Sequence, residues 1–249
     1  MIRVMAVSKY FDEVPVLKGV TTSFEQGKTN LVIGQSGSGK TVLMKCLVGL
    51  MGCDKGSIYY DDLEFTSTDF AARQIIRQQI GMLFQGGALF DSLTVEENII
   101  FPLDMFSNMV REEKRERANF CLKRVNLENT NHLFPSELSG GMKKRVAIAR
   151  AIANSPKYLF CDEPNSGLDP RTAIIIDNLI SEITQEFNIT TIVNTHDMNS
   201  VMEIGDKVSF LYKGELWWEG TRKDILHTDN EELNRFVYAT ELMRILKKS

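Results

Sequence analysis

The 249-residue sequence predicts an α/β protein built around a mostly parallel sheet, and three observations carry that expectation. Apolar runs of strand length alternate with helical patterns along the chain. A glycine-rich segment, Gly34–Thr41, lies between one such run and a helical repeat. Hydrophobic residues make up 43% and charged residues 25%, enough to bury a core. At roughly 100–200 residues per domain, the length fits one large domain, or one domain carrying a subdomain.

Taken in order, Ile2–Val7 and Asn30–Ile33 read as buried strands, and Leu43, Leu47 and Leu50 as the apolar stripe of a helix. Ile80–Phe84 is the next strand. Residues ~88–154 read as a helical insert. Within it, Thr94-x-x-Glu97 resembles a capping box, and Arg111–Arg124 is charged and helix-compatible with apolar Phe120, Leu122 and Val125. Tyr158–Cys161 returns to strand. From Arg171 to Phe187, Ile176, Leu179, Ile180, Ile183 and Phe187 share one face of a 3.6-residue period. Ile189–Asn194 and Val208–Tyr212 complete the series, and Lys213-Gly214 marks a two-residue hairpin turn into Glu215–Trp218. Beyond Ile225 the chain reads as a polar helical tail. No internal repeat, low-complexity tract or Pro/Gly-rich linker separates these parts.

The net charge of −4 argues against a nucleic-acid partner held by a general positive field. No stretch approaches the roughly 18 apolar residues of a membrane-spanning helix, and the Met1–Val7 start lacks the layout of a signal peptide. The chain is therefore expected in the cytoplasm. Cys46, Cys53, Cys121 and Cys161 fall on apolar segments without a C-x-x-C pair and are expected to be reduced core thiols. Lys143-Lys144-Arg145 is expected to be a solvated face.

The chemistry begins at Gly34-Gln-Ser-Gly-Ser-Gly-Lys40-Thr41, which fits G-x-x-x-x-G-K-[ST] between a strand and a helix. Such a loop turns backbone N–H groups inward around a phosphate, and the following helix presents its positive end to the same anion. Lys40 would neutralise the β- and γ-phosphates and Thr41 would ligate Mg²⁺. A dinucleotide fingerprint fits less well, because Val42 stands where a third Gly or Ala belongs and Lys40 has no role there. Downstream, Tyr158-Leu-Phe-Cys-Asp162-Glu163 is a buried strand ending in two carboxylates, a Walker B arrangement. Asp162 can hold Mg²⁺ through water, and Glu163 can take a proton from an attacking water. Leu138-Ser-Gly-Gly-Met142 is a second glycine-rich helix start, with Ser139 as its natural N-cap.

In this order of motifs the sequence resembles the ATP-binding cassette (ABC) ATPases from about Arg3 to Gly220. Phe11 stands where the family stacks an aromatic on adenine, with Tyr10 as the alternative. Gln85 matches the Q-loop glutamine, Leu138–Met142 the LSGGQ signature, Ser166-Gly-Leu-Asp169-Pro the D-loop, and Asn194-Thr-His196-Asp197 the switch-histidine loop. The resemblance implies a P-loop NTPase fold: a RecA-like core with a mixed sheet plus an inserted ABC helical subdomain, over residues 1–224, followed by a helical tail over 225–249. It implies that Gly34, Gln35, Ser36, Gly37, Ser38, Gly39, Lys40, Thr41 and Val42 hold ATP. Ser139, Gly140, Gly141 and Asp169 would complete the site across a head-to-tail homodimer. Thr41, Gln85 and Asp162 would hold Mg²⁺; Glu163, His196 and Gln85 would serve catalysis. Met142 departs from the usual Gln and cannot donate its amide hydrogen bond.

Transport would require separate transmembrane permease subunits, with the ATPase peripheral on the cytoplasmic side of the inner membrane. The Gly86–Leu103 segment, with its Gly-Ala-Leu-Phe, resembles the Mla-type phospholipid transport ATPases, and Met142, Asp169-Pro-Arg-Thr, Thr195-His-Asp-Met198 and Asn230–Tyr238 point the same way. That resemblance implies phospholipid transport linked to outer-membrane lipid asymmetry, with a small accessory subunit and a lipid-binding substrate protein. The alternatives are the ATPase of another ABC transporter, of amino-acid or lipoprotein type, and a soluble Suf-type iron–sulfur assembly ATPase. A DNA or ribosome machine would need two cassettes or a long coiled-coil insert.

Overall fold

The computed structural model describes residues 1–238 and arranges them around two sheets. Strands β1 (Ile2–Phe11) and β2 (Val14–Phe24) form an antiparallel pair, followed by β3 (Thr29–Ile33), α1 (Lys40–Leu47), β4 (Lys55–Tyr60) and β5 (Leu63–Glu64). Helix α2 (Phe70–Gln78) leads to β6 (Ile80–Leu83), and three helices come next: α3 (Val95–Phe106), α4 (Arg111–Arg124) and α5 (Gly140–Ile152). The chain then runs through β7 (Tyr158–Asp162), α6 (Pro170–Glu186), β8 (Thr190–Thr195), α7 (Met198–Ile204), β9 (Lys207–Tyr212), β10 (Glu215–Gly220) and α8 (Glu231–Val237).

The larger sheet has the order β10-β9-β3-β8-β7-β6, parallel throughout except for the edge strand β10. Its central strands are covered on both faces, which is why they read as unbroken apolar runs. Within β3, Val32 packs toward α1 and the smaller sheet, while Leu31 and Ile33 face the helices on the other side. In β7 the alternation is Tyr158 and Phe160 one way, Leu159 and Cys161 the other. At the hairpin, Lys213 and Gly214 both take positive φ, 50° and 84°, the requirement of a tight primed turn.

The smaller sheet, β2-β1-β4-β5, is antiparallel and was absent from the sequence expectation. Ile2–Val7 is part of a ten-residue strand that belongs to this sheet and not to the parallel one. Register shifts after Val4 and Val7, with Ala6 at φ 49°, break the strict period-2 pattern that would have announced it. Two further expectations are corrected. Helix α1 ends at Leu47, leaving Leu50 exposed. Lys144 is buried, and Arg145 donates to the carbonyls of Val125 and Asn126, so Lys143-Lys144-Arg145 is not a solvated face.

Helix α3 starts at the expected capping box: Glu97 N–H donates to Thr94 Oγ1 at 3.3 Å, and Thr94 N–H donates to Glu97 Oε2 at 2.8 Å. In α4, Leu122 and Val125 are buried, but Phe120 is partly exposed beneath the Arg117 guanidinium. Three of the four cysteines are buried and Cys53 is half-buried; all four are free thiols. Burial pushes the Cys46 and Cys121 thiols up to about 11, so neither is a thiolate at neutral pH. The tail expected over 225–249 includes α8, and residues 239–249 lie outside the described residues. No helix among the described residues is long and apolar enough to cross a membrane.

Candidate active site

The loop between β3 and α1 is shaped by contacts that leave no room for side chains. A Cβ on Gly34 would stand 2.2 Å from the Leu211 carbonyl oxygen; Gly39 takes φ +106°, and a Cβ there would meet Leu17 Cδ2 at 2.9 Å. Both positions therefore require glycine. Lys40, at the first turn of α1, is buried and folds back to donate to the carbonyls of Gly34 at 2.8 Å and Gln35 at 3.1 Å. Burial lowers its pKa, opposed by the charges of Glu163 and Asp162. A desolvated ammonium bonded only to neutral carbonyls is poised to exchange them for phosphate oxygens.

Strand β7 delivers Asp162 to the same place. Thr41 Oγ1 lies 3.4 Å from Asp162 Oδ1, and Asn194 at the end of β8 donates to that oxygen at 3.0 Å. A hydroxyl, a carboxylate oxygen and phosphate oxygens form the hard, oxygen-only donor set Mg²⁺ prefers. Among the described residues no group of three or more His, Cys, Asp and Glu could hold a metal.

Glu163 follows in a turn at φ 48°, and His196 Nδ1 is 2.8 Å from its Oε2. Side-chain exposure separates their roles in the cleft: 14% for Glu163 and 67% for His196. Gln85 lies across the cleft, its Nε2 3.5 Å from Ser166 Oγ. A 1280 Å³ cleft is lined by Gln35, Lys40, Thr41, Gln85, Glu163 and His196 among others.

Not every expected residue reaches this cleft. Phe11 and Tyr10 sit partly exposed at the end of β1 and do not line it; Val16 of β2 does. Ser139, Gly140 and Gly141 are also outside it, at the start of α5, where Met142 N–H donates to Ser139 Oγ at 3.2 Å. Met142 is half-buried and packs against the core. Asp169 caps α6, accepting from the N–H groups of Arg171 and Thr172 at 3.1 Å and from the Thr172 hydroxyl at 2.5 Å, and the bonds from Thr172, the hydroxyl first, hold its carboxyl below the usual range.

Several participants escaped sequence reasoning. Asn194 is read in the sequence as the end of a strand and the start of the switch-histidine loop, and its bond to Asp162 is not foreseen there. Arg235, Phe236 and Val237 of α8 line the cleft, and nothing local in the sequence announces it. Lys144 donates to the Gln85 carbonyl, while Arg150 donates to those of Gly87 and Ala88 at 2.8 Å, so two cations from α5 clamp the loop after β6. Burial lowers the pKa of both. Lys144→Met keeps the apolar stem and removes the donor. It is expected to raise amide hydrogen exchange over residues 85–88 at least tenfold with stability changed by no more than about 1 kcal/mol; unchanged exchange there would mean Arg150 alone holds the loop.

A buried-lysine glycine loop, an Asp–Thr pair and an adjoining Glu–His pair on a parallel sheet define a P-loop ATPase. Comparison with known proteins narrows the class. The model of the family described as "ABC transporter" matches residues 17–166, and the chain belongs to that family. It is an ATP-binding cassette, with the ATPase fold and Mg²⁺-ATP site of that family. Curated relatives include a methionine import ATP-binding protein MetN of Protochlamydia amoebophila, 40% identical over 88% of this chain and 64% of the relative. Another MetN, from Clostridium tetani, is 36% identical over 98% of this chain and 76% of the relative. The chain thus spans about two thirds to three quarters of these relatives' length. Among solved structures, a dimeric post-hydrolysis state of the cassette MJ0796 with ADP and Pi superposes at TM-score 0.81, 33% identity, covering 89% of this chain and 99% of that one. The cbiO1 protein of Clostridium perfringens, part of the cbiONQ complex, gives 0.85 at 27% identity over 99% and 98%.

Proposed function

We propose that this chain hydrolyses ATP to drive a membrane transporter, acting as a homodimer that docks on transmembrane permease subunits. The observation that carries the reading is the meeting of Lys40, the Thr41–Asp162 pair and the Glu163–His196 pair in one cleft. Lys40 neutralises the β- and γ-phosphates, and Gly34–Val42 wraps them with backbone N–H groups. Thr41, Asp162 and Gln85 would hold Mg²⁺, which offsets charge on the phosphate oxygens. Glu163 accepts the proton of the attacking water, and His196 orients Glu163 and hydrogen-bonds the γ-phosphate.

One chain supplies half of what the phosphates need. Ser139 and Gly140 are exposed at a helix N-terminus turned away from their own cleft, which supports their use by a second copy, with Asp169 at the contact between sites. The dimeric state of MJ0796 with ADP and Pi supports a dimer. The family position of Phe11 is retained for adenine stacking only if the base lies outside the cleft wall, beside the end of β1. A 370 Å³ apolar groove is lined by Met82, Phe84, Phe90, Phe101, Pro102 and Phe106, and we assign it to the permease. Phe90 and Phe101 are exposed there, whereas Ile99 is core, so only part of the Gly86–Leu103 segment is offered to a partner.

For cargo, the methionine-import relatives favour the amino-acid alternative over the phospholipid reading. They outweigh the short Mla-type segments because they match along nearly the whole chain. Phospholipid transport stays as the second reading, supported by Gly86–Leu103 and by Met142. The partners that co-purify decide between the two. The test is extraction of the tagged full chain in detergent, mass spectrometry of what co-purifies, and ATPase activity with added methionine or phospholipid. A permease whose presence makes turnover respond to methionine supports amino-acid import. Bound phospholipid, with a lipid-binding subunit and a small accessory protein, would replace it by the lipid reading. A soluble iron–sulfur scaffold in place of any permease would overturn the transporter assignment.

A further inference from the structure

One ionisable group has no part in the mechanism above, although it is buried close to it. Asp177 of α6 is 2% exposed, on a helix whose other buried positions include Ile176, Leu179, Ile180 and Ile183. Its carboxylate accepts from Asn165 Nδ2 at 2.8 Å, and the same amide nitrogen donates to Ser200 Oγ at 3.0 Å. Ser200 is fully buried on α7 and also hydrogen-bonds Asp177.

These three residues join the two segments that carry the reacting pair. Asn165 belongs to the turn that begins at Glu163, where Glu163 takes φ 48° and Ser166 N–H closes back on the Glu163 carbonyl at 3.1 Å. Ser200 lies on the short helix capped by Asp197, the residue after His196. Asn165 Oδ1 is buried without a partner, so the amide is oriented through its nitrogen alone. Removing the acceptor at 177 would free the turn from α6.

We propose that Asp177 is a positioning residue for ATP hydrolysis: by holding Asn165 and Ser200 together, it locks the Glu163 turn to the helix that follows His196 and keeps the Glu163 and His196 side chains in contact. The inference rests on the assignment of Glu163 and His196 as the hydrolytic pair. A carboxylate is an expensive way to fill this position. Burial pushes its pKa up to about 6 against the hydrogen bonds from Ser200 and Asn165, and the charges of Asp197, the cap of α7, and Glu203 on α7 push it up as well; the Cys161 thiol of β7 is a further titratable neighbour. With the folded value above the unfolded one, the contribution to stability is most favourable below about pH 4 and is lost as pH rises through about 6. A helix selected for packing alone would place an apolar residue here.

The test compares Asp177→Ala, Asp177→Asn and Ser200→Ala in the full chain. MgATPase turnover is expressed per ATP-binding site, counted with a fluorescent ATP analogue. Asp177→Ala is expected to lower kcat at least tenfold with KM for ATP changed less than twofold, and Ser200→Ala to lower kcat in the same direction by a smaller factor. Asp177→Asn retains an acceptor for Asn165 and a donor for Ser200; it is expected to keep kcat within threefold of the original while raising Tm, more at pH 8 than at pH 5. If Asp177→Ala lowers Tm and leaves kcat per site unchanged, the role is structural and the proposal falls. Should Asp177→Ala not fold, a normal kcat in Ser200→Ala overturns it equally. Glu163→Gln run in parallel separates the two readings: full turnover there removes the Glu163 assignment, whereas slow turnover beside a normal Asp177→Ala removes only this one.

Discussion

Lys40→Ala is expected to abolish measurable MgATP binding at concentrations that saturate the original protein. The ammonium is the one cation of the glycine loop, it is buried, and its present partners are two backbone carbonyls that a triphosphate would displace. A charge-assisted hydrogen bond contributes about 1.5–3 kcal/mol, and Lys40 is placed to make two to phosphate oxygens. Losing both weakens affinity by a factor on the order of 10²–10⁴. Stability should move far less. The substitution leaves the Gly34 and Gln35 carbonyls short of a donor, but it also removes a desolvated charge whose pKa burial already depresses. Equilibrium titration with a fluorescent ATP analogue, beside a thermal melt without nucleotide, reads both quantities. Normal affinity with a normal melt would sink the phosphate-loop assignment.

How much of this site was legible beforehand depended on whether the chemistry is local in the chain. The glycine loop, the Asp162–Glu163 strand end and the Asn194-Thr-His196 segment are each short, and each lies at or just past the end of a strand buried along its length. Strand order then brings the ends of β3, β7 and β8 side by side, so three separate motifs converge without any long-range signal in the sequence. What could not be read was the antiparallel sheet, where bulges and half-exposure blur the period, and the long polar side chains that reach across elements. Lys144 is the clearest example. In sequence it is the middle of three basic residues, yet the helix turns it inward to the Gln85 carbonyl while Lys143 is only half-buried. Asp177 is another, a charge inside an apolar helical stripe whose partners lie 12 and 23 residues away. Cargo was least legible of all, because the motifs that announce themselves in the sequence are those of ATP chemistry.

Glu163→Gln is expected to separate binding from chemistry. Glutamine has the shape of glutamate and can keep a hydrogen bond to His196 Nδ1, so the 2.8 Å contact and the turn at φ 48° need not change. It cannot hold the proton that an attacking water must lose. General-base catalysis contributes typically about 10²–10⁴ in rate, and kcat should fall by that factor while ATP affinity stays within about twofold of the original, since the phosphate contacts come from Lys40 and the loop. Because ATP then persists between two copies, the variant should also run as a dimer in MgATP on size exclusion and return to its nucleotide-free state when ATP is removed. The three readouts constrain one another. Slow turnover with weakened binding would place Glu163 on the nucleotide instead of on the water. Unaltered turnover would remove it from the mechanism and shift the search for a base to His196, whose exposed ring lines the same cleft.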